Sequence, residues 1–561
     1  MPNIEINKRD FEHLLGRKFS QKDIEELFEF TKVGIEKVED DKITLEIKDS
    51  NRLDLLSVEG IVREVQGVIK KELGLKNYKV EKSNFVVKVD HKVKAVRPFT
   101  VCAVIKDLKF TEHFIEQMIQ LQEKLCEGFG KKRRDVALGI YDFDKIKWPI
   151  TYTAFKPDAL GFIPFGFQEK LTLRQILERH EKGQIYGDLL HGAKEYPIFI
   201  DKEQNVLSMP PIINSEYSGK VTNETKNVFI EVSGFDMRKI SCALNIVVAA
   251  FADRGGKIFQ VNVNNLKRIS TPNFYSRVKK VTLEEINALL GLELSDKDVV
   301  YRLKKARYGV KQKGNEFIVD IPFYREDVLH KVDIIEDIAI AHGFKNIKPV
   351  ELKIATTGTL LNETNKQEKL SSLLIGLEFQ EVLTLNLSKK SDLFEMMNLP
   401  VSEIVEIKNP VSENQNCVRN WLTPSLLNFL SQNTTKIMPQ KIFEIGKSFE
   451  VDKLASDKTK EKTKVAFAIS EARANFTEIK QVLDYLTDLL RVKYSLKQNN
   501  HGSFIVGRCA EIVILEKDIK GRNVEKTFGI IGEVHPKVLS NWKIKMPVAA
   551  MELDFDLMKE F

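Results

Sequence analysis

The sequence predicts an α+β protein of several domains, and three observations carry that reading. The chain has 561 residues, enough for about four domains of ordinary size. A helix-strand-helix block near the N-terminus returns about 275 residues later as a diverged copy. Between the two copies the pattern turns β-rich, with short apolar runs separated by loops rich in Pro and Gly. The domains expected from these shifts are residues 1–88, 89–266, 267–349 and 350–561.

Composition narrows the class. At 43% hydrophobic and 30% charged residues the chain is ordinary globular protein that can bury several cores. A net charge of +7 permits a polyanionic partner without demanding one. Cys102, Cys126, Cys242, Cys417 and Cys509 are odd in number and far apart, which excludes CxxC metal spacing and argues against a disulfide framework. A reducing cytoplasm is expected. The apolar run at 246–252 is far too short to cross a bilayer, so no membrane is expected.

In chain order, residues 11–23 (FEHLLGRKFSQKD) match residues 286–298 (INALLGLELSDKD) in Leu-Leu-Gly, in a Ser four residues after the Gly, and in the Lys-Asp that follows. Both copies then run through a strand, 42–47 and 316–321, into Arg-x-Asp and a helix. Arg52 and Asp54 thereby correspond to Arg325 and Asp327.

After the second Arg-x-Asp, residues 322–344 (PFYREDVLHKVDIIEDIAIAHGF) read as a helix from Val328, with Asp327 as its N-cap. Val328, Val332, Ile335 and Ala339 make the buried stripe. Asp333, Glu336 and Asp337 fall within an arc of roughly 100° beside it. Like charges at that spacing oppose a helix by a few tenths of a kcal/mol per pair. Only His330 could offset them within the helix, so the compensating charge is expected from solvent ions, a bound metal or a partner. Oxygen-only ligands suit Mg²⁺. The first copy has Gly60, Arg63 and Glu64 at these positions, which suggests that the fold does not need the cluster and that function or a partner surface explains it.

The stretch 89–266 contains β-rich runs at 99–105 and 227–232. Three segments stand out: GKKRRDVALGIYD at 130–142, FIPFG at 162–166, and LSMPPIINSEYSGKV at 207–221 followed by FIEVSG at 229–234. Read alone, the basic quartet 131–134 is a solvated turn more readily than a phosphate clamp. No Ser, Cys or His here has the paired-base spacing of a nucleophilic hydrolase.

Together these segments resemble the β-subunit family of phenylalanine-tRNA ligase, in the shorter form of archaea and eukaryotes. The resemblance runs nearly end to end from NRLDLLSVEG at 51–60, where the family usually has Pro and Trp in place of Leu53 and Leu56. It implies that the β-rich stretch is an editing module whose pocket uses Ser208, Glu231 and Ser233, although the archaeal pattern more often has Asp and Thr at the last two. It implies Mg²⁺ ligands at Asp327, Asp333, Glu336 and Asp337, near the boundary with an α subunit. An ideal helix turns Asp327 away from the other three, so it would have to coordinate from a distorted first turn.

In residues 350–561, Leu370, Leu373 and Leu374 suggest a helix, Leu383, Leu385 and Leu387 a strand, and Ile479, Val482, Leu486 and Leu490 another helix. The run 452–464 reads as a solvated loop. Asn409-Pro410 onward, Phe443 to Gly446, Gly507-Arg508 and Ile531 to His535 resemble the same family's class II synthetase-like antiparallel sheet. A working class II site needs an Arg-x-Glu pair and a Gly-rich strand ending in Arg; here Arg419 is followed by Asn420-Trp421 and no such strand follows. The resemblance therefore implies an inactive scaffold that pairs with a catalytic α subunit in an α2β2 heterotetramer. ATP and phenylalanine would bind on α, tRNA(Phe) would be the polyanion, and mischarged Tyr-tRNA(Phe) would be hydrolysed by the editing module. The RNA-binding domain of the longer bacterial form is not expected. A non-editing RNA-binding scaffold and a free-standing Mg²⁺-dependent phosphoesterase are the alternatives.

Overall fold

The computed structural model describes residues 2–264, 268–352, 354–517 and 523–558. The chain divides into two compact units, Met1–Glu351 and Leu352–Phe561.

The first unit contains the repeat in full. One copy runs strand Asn3–Asn7, helices Lys8–Leu15 and Gln21–Phe28, strands Val33–Glu39 and Lys42–Ile47, helix Val58–Val68. The other runs strand Arg277–Thr282, helices Leu283–Leu290 and Asp296–Lys305, strands Gly309–Lys313 and Glu316–Ile321, helix Lys331–His342. In each, the last strand lies in the middle of a three-stranded antiparallel sheet. The shared sequence signature is a stop-and-start instruction. Gly16 and Gly291 end the first helix in the left-handed region at φ 69° and 64°, where a residue without Cβ is least strained. Four residues later Ser20 and Ser295 cap the next helix, each in a reciprocal box with Asp23 or Asp298.

The rest of this unit is built on an eleven-stranded sheet. Its strands Phe99–Lys106, Val228–Gly234 and Val136–Asp142 lie side by side and antiparallel. Because side chains alternate across a strand, Val101, Ala103, Ile105, Ile230 and Val232 pack on one face in the same core as helix Met237–Asp253. Cys102, Val104, Tyr141 and Phe229 pack on the other with Phe199 and Leu207. The sheet also takes in Val80–Glu81, Val86–Val89 and Arg268–Thr271, each hydrogen-bonded to Lys257–Asn264. The sequence boundaries at 88 and 266 cut through this sheet, because pairing partners distant in sequence leave no local mark.

In the second unit, seven strands form one sheet in the order Gln380–Glu381, Gln440–Val451, Thr459–Ser470, Val548–Asp554, Asn523–Val534, Phe504–Lys517, Tyr494–Gln498. All neighbours are antiparallel except the first pair. Helices Asn362–Gly376 and Phe476–Leu489 share a core with one face, and helix Thr423–Gln432 shares a core with the other. Two expectations need correcting. The turn is only 452–458, since Thr459 onward is paired strand. Of the three alternating leucines only Leu387 is in a strand, and all three are exposed.

Candidate functional site

Glu231 sits in the middle of strand Val228–Gly234, with Cys102 and Gly139 as its register partners on either side. It is only 2% exposed. The Tyr141 hydroxyl, two residues beyond Gly139, lies 3.1 Å from Glu231 Oε1 and 2.8 Å from Ser208 Oγ. Ser208 comes from strand Val206–Met209, so three strands converge on this point. Glu231 Oε2 is buried and has no hydrogen-bond partner. Burial pushes the Glu231 carboxyl up to about 8, while the Tyr141 hydroxyl, the Arg97 charge and the Ser233 hydroxyl limit the rise.

Ser208 and Glu231 border a cavity of about 240 Å³, lined also by Met118, Leu138, Arg133 and Pro211. Its walls are mostly apolar, with a few convergent polar groups, which is the usual make-up of a small-ligand site. Ser233 lies on the Glu231 face of the strand but is already engaged. Its hydroxyl accepts from Arg97 Nε at 3.0 Å and its carbonyl from Arg97 Nη2 at 2.6 Å. Ser208 and Glu231 thus come together at the cavity, and Ser233 stands behind them.

The basic quartet forms one rim. Lys131, Lys132 and Arg133 are consecutive residues at φ 50°, 54° and 64°, each costing ~1–2 kcal/mol for an L-residue. Backbone bonds from Lys132 to the Glu127 carbonyl and from Arg133 to the Cys126 carbonyl hold this turn against the end of the preceding helix. The result turns Arg133 inward, where it donates to the Ile212 carbonyl at 2.8 Å and stacks over the Tyr186 ring at 4.2 Å. It is not a uniformly solvated turn.

The acidic helix is arranged differently from the sequence expectation. It begins at Lys331 with His330 as N-cap. Asp327 is therefore not the cap, and Val332, 48% exposed, leaves the predicted stripe. Asp333 accepts from the backbone N–H of Leu329 at 2.8 Å and of His330 at 2.7 Å, closing the helix N-terminus. Asp327 and Asp337 both accept from Arg325, at 2.7 and 2.6 Å, and the Tyr308 hydroxyl donates to Asp337 at 2.5 Å. Glu336 accepts from Lys32 at 2.8 Å. The compensating charge is thus a lysine and an arginine of this chain.

Among the described residues no three Asp, Glu, His or Cys side chains are grouped to hold a metal. The four acids in this arrangement do not fit a Mg²⁺ site, and the phosphoesterase reading loses its carboxylate cluster. The first copy corrects a further inference. Arg52 donates to Asp54 and to Glu64, each at 3.0 Å, as Arg325 does to Asp327 and Asp337. The acid at the Asp337 position is part of the fold in both copies.

Three family models match the chain: the B3/4 domain over residues 131–249, the tRNA synthetase B5 domain over 279–344, and the phenylalanyl tRNA synthetase beta chain CLM domain over 347–555. The phenylalanine-tRNA ligase beta subunit of Pyrococcus furiosus is 43% identical over 559 residues, 99% of each chain. That of Korarchaeum cryptofilum is 36% identical over 558 residues, 99% of this chain and 98% of its own. The chain belongs to the phenylalanine-tRNA ligase beta-subunit family. Among solved structures, an N-terminal fragment of the beta subunit from Pyrococcus horikoshii aligns with a TM-score of 0.60 and 45% identity, covering 61% of this chain and 100% of the fragment.

In this beta-subunit family member the synthetase-like sheet leaves its arginine engaged. Arg419 Nη1 lies 2.8 Å from Glu444 Oε1 and donates to Thr384 Oγ1 at 2.6 Å, while Nε donates to the Lys447 carbonyl at 2.9 Å. A guanidinium held this way inside the core is not free to clamp a phosphate. Lys462 and Lys464, beside the cavity on this sheet, face Glu450 and Glu552 at 2.8 and 3.3 Å.

Sequence reasoning missed Tyr141, Gly139 and Arg97. The segment holding Gly139 and Tyr141 was singled out for its cations, yet Gly-Ile-Tyr opposite a strand bearing a lone carboxylate was the available signal. Arg97 had none.

Proposed function

We propose that this chain is the non-catalytic partner of an α subunit that uses ATP to charge tRNA(Phe) with phenylalanine in a cytoplasmic α2β2 heterotetramer. We further propose that the Glu231 cavity hydrolyses mischarged Tyr-tRNA(Phe). The observation that carries the second reading is a buried carboxylate with one unpartnered oxygen, at the edge of a largely apolar cavity of about 240 Å³. A synthetic pocket shaped for phenylalanine rejects a ring that merely adds a hydroxyl by only about a hundredfold. A second pocket whose buried oxygen needs a hydroxyl partner discriminates the other way, because phenylalanine leaves that oxygen unpaired at ~1–3 kcal/mol.

The groups at hand favour attack by water rather than by a side chain. The Cys102 thiol is buried beside Glu231, and burial holds it well above its ordinary value. Ser208 is bonded to Tyr141, and no histidine lines the cavity among the described residues. The exposed turn bearing Lys131 and Lys132 is the surface this reading assigns to the tRNA backbone. Mg²⁺, which the family uses in general, takes no part in this reading of the cavity, since among the described residues no acids are grouped to hold it.

The decisive experiment is deacylation of Tyr-tRNA(Phe) by the complex carrying Glu231→Ala. The expected result is slowed hydrolysis in a complex that still assembles; unchanged hydrolysis overturns the editing reading.

A further inference from the structure

Tyr141 is fully buried and held from the side as well as at its tip. Its ring stacks on Phe229 with centroids 5.7 Å apart, and Trp148 meets Phe229 edge-on at 5.4 Å. A phenol has one proton and accepts as well, so its place between Ser208 Oγ at 2.8 Å and Glu231 Oε1 at 3.1 Å joins the three groups in one chain through Tyr141 Oη. The backbone makes room for this contact. A Cβ on Gly139 would fall well inside contact distance of Tyr141 Oη and 2.9 Å from Glu231 Oε1. The strand therefore carries a residue without a side chain at the point where the two polar tips meet.

The consequence concerns which oxygen is left. A glutamate with both oxygens unsatisfied can rotate and recruit water. Here Oε1 is occupied by a fixed phenol and Oε2 alone has no partner. We propose that Tyr141 is a positioning and specificity-determining residue: by holding Oε1 it fixes Glu231 so that one oxygen, Oε2, is offered to the ligand. This deepens the editing reading and rests on it. The ligand class that matches is an aminoacyl ester whose aromatic ring carries a single hydroxyl at its far end. A plain phenyl ring leaves Oε2 unpaired.

The test compares hydrolysis of Tyr-tRNA(Phe) and Phe-tRNA(Phe) by the full complex carrying wild type, Tyr141→Phe, Trp148→Phe or Glu231→Ala. Tyr141→Phe keeps the ring and removes only the oxygen. It is expected to lower the Tyr/Phe ratio of kcat/KM about tenfold or more, mainly through KM. Trp148→Phe disturbs the aromatic packing behind Phe229 without touching the carboxylate and is expected to keep that ratio within about twofold. A Tyr141→Phe complex with an unmoved ratio, or an equal loss in Trp148→Phe, overturns the proposal. If Glu231→Ala hydrolyses Tyr-tRNA(Phe) normally, the editing reading itself fails. If Glu231→Ala is slow and Tyr141→Phe is not, only the positioning role fails. Should Tyr141→Phe prevent assembly, Gly139→Ala, whose Cβ crowds Tyr141 Oη against Glu231 Oε1, is expected to lower the same ratio, and an unmoved ratio there overturns the proposal.

Discussion

The Arg325 guanidinium donates to Asp337 at 2.6 Å, and Arg52 repeats the relationship with Glu64 at 3.0 Å. Both arginines are buried, and each also grips the aspartate two residues on, Asp327 or Asp54. Removing one partner of such a pair leaves an uncompensated buried charge, which costs ~3–5 kcal/mol. Asp337→Ala is therefore expected to destabilise the first unit by that order, and urea unfolding followed by fluorescence checks it. Because cations of the chain itself neutralise these acids, adding a chelator is expected to leave the unfolding midpoint of the purified chain unmoved. A chelator-induced drop would show a metal contributing to the fold.

The same cluster sets an acid limit. Arg325 holds the Asp327 carboxyl at about 2 against the cost of burial, and it lowers Asp337 as well. A carboxyl depressed on folding contributes stability that is complete above its unfolded value, ~3.9, and is lost as pH falls through the folded one. Stability measured by denaturant titration is expected to decline from about pH 4 toward pH 2, and Asp327→Asn should flatten that decline.

How much of this was legible depends on distance along the chain. Leu-Leu-Gly and Ser-x-x-Asp read correctly because helix caps are local, each decided within four residues. Ser208 and Glu231 were reached only through the family resemblance, not from spacing or composition; both line one cavity. Lys32 was not legible as the partner of Glu336, because 304 residues separate them. Nor was Arg97 legible as the partner of Ser233, 136 residues on. The acidic helix was misread for the same reason: its like charges looked uncompensated only because their cations lie on other elements. The sheet boundaries at 88 and 266 failed similarly, since strand pairing is a relation between segments.

The second unit exposes a row of leucines that folding alone does not explain. Leu383, Leu385 and Leu387 are 84%, 65% and 41% exposed and border a surface cavity with Pro424 and Phe429. Clustered exposed apolar side chains mark contact surfaces, and the proposed occupant is the α subunit. The double substitution Leu383→Ser and Leu385→Ser should leave the isolated chain folded, because neither side chain is buried. Native mass measurement is expected to show it largely free where wild type forms the complex; an unchanged complex removes this surface from the interface.

The engagement of Arg419 gives a further expectation. With Arg419 engaged by Glu444, Thr384 and the Lys447 carbonyl, the transferring phosphates of ATP lack a cationic clamp. The purified chain without α is expected to give no phenylalanine-dependent exchange of pyrophosphate into ATP, and measurable exchange would contradict this.

The pH dependence of selectivity follows from Glu231. Around it lie Tyr141, Cys102, Tyr152, Cys126 and Arg97. The first three are held above their ordinary values by burial, Cys126 is pushed up to about 11, and Arg97 is lowered from its ordinary value. Glu231, raised to about 8, is the member of this group that titrates near neutrality. Its raised value means that the neutral carboxyl favours the folded state; that contribution is complete below the unfolded value, ~4.3, and is lost as pH rises through about 8. Selectivity moves the opposite way. An ionised Oε2 accepts a charge-assisted hydrogen bond from the substrate phenol, roughly twice as strong as a neutral one, while a phenyl ring gains nothing. The Tyr/Phe ratio of kcat/KM is therefore expected to rise with pH through an inflection near 8 and to be flat in Glu231→Gln. Because both substrates share the ester, the general increase of hydroxide with pH cancels in the ratio. A ratio that is level across pH 6.5 to 9 in the wild-type complex, ~1.5 units below and ~1 unit above that inflection, would show that Glu231 does not read the hydroxyl by its charge.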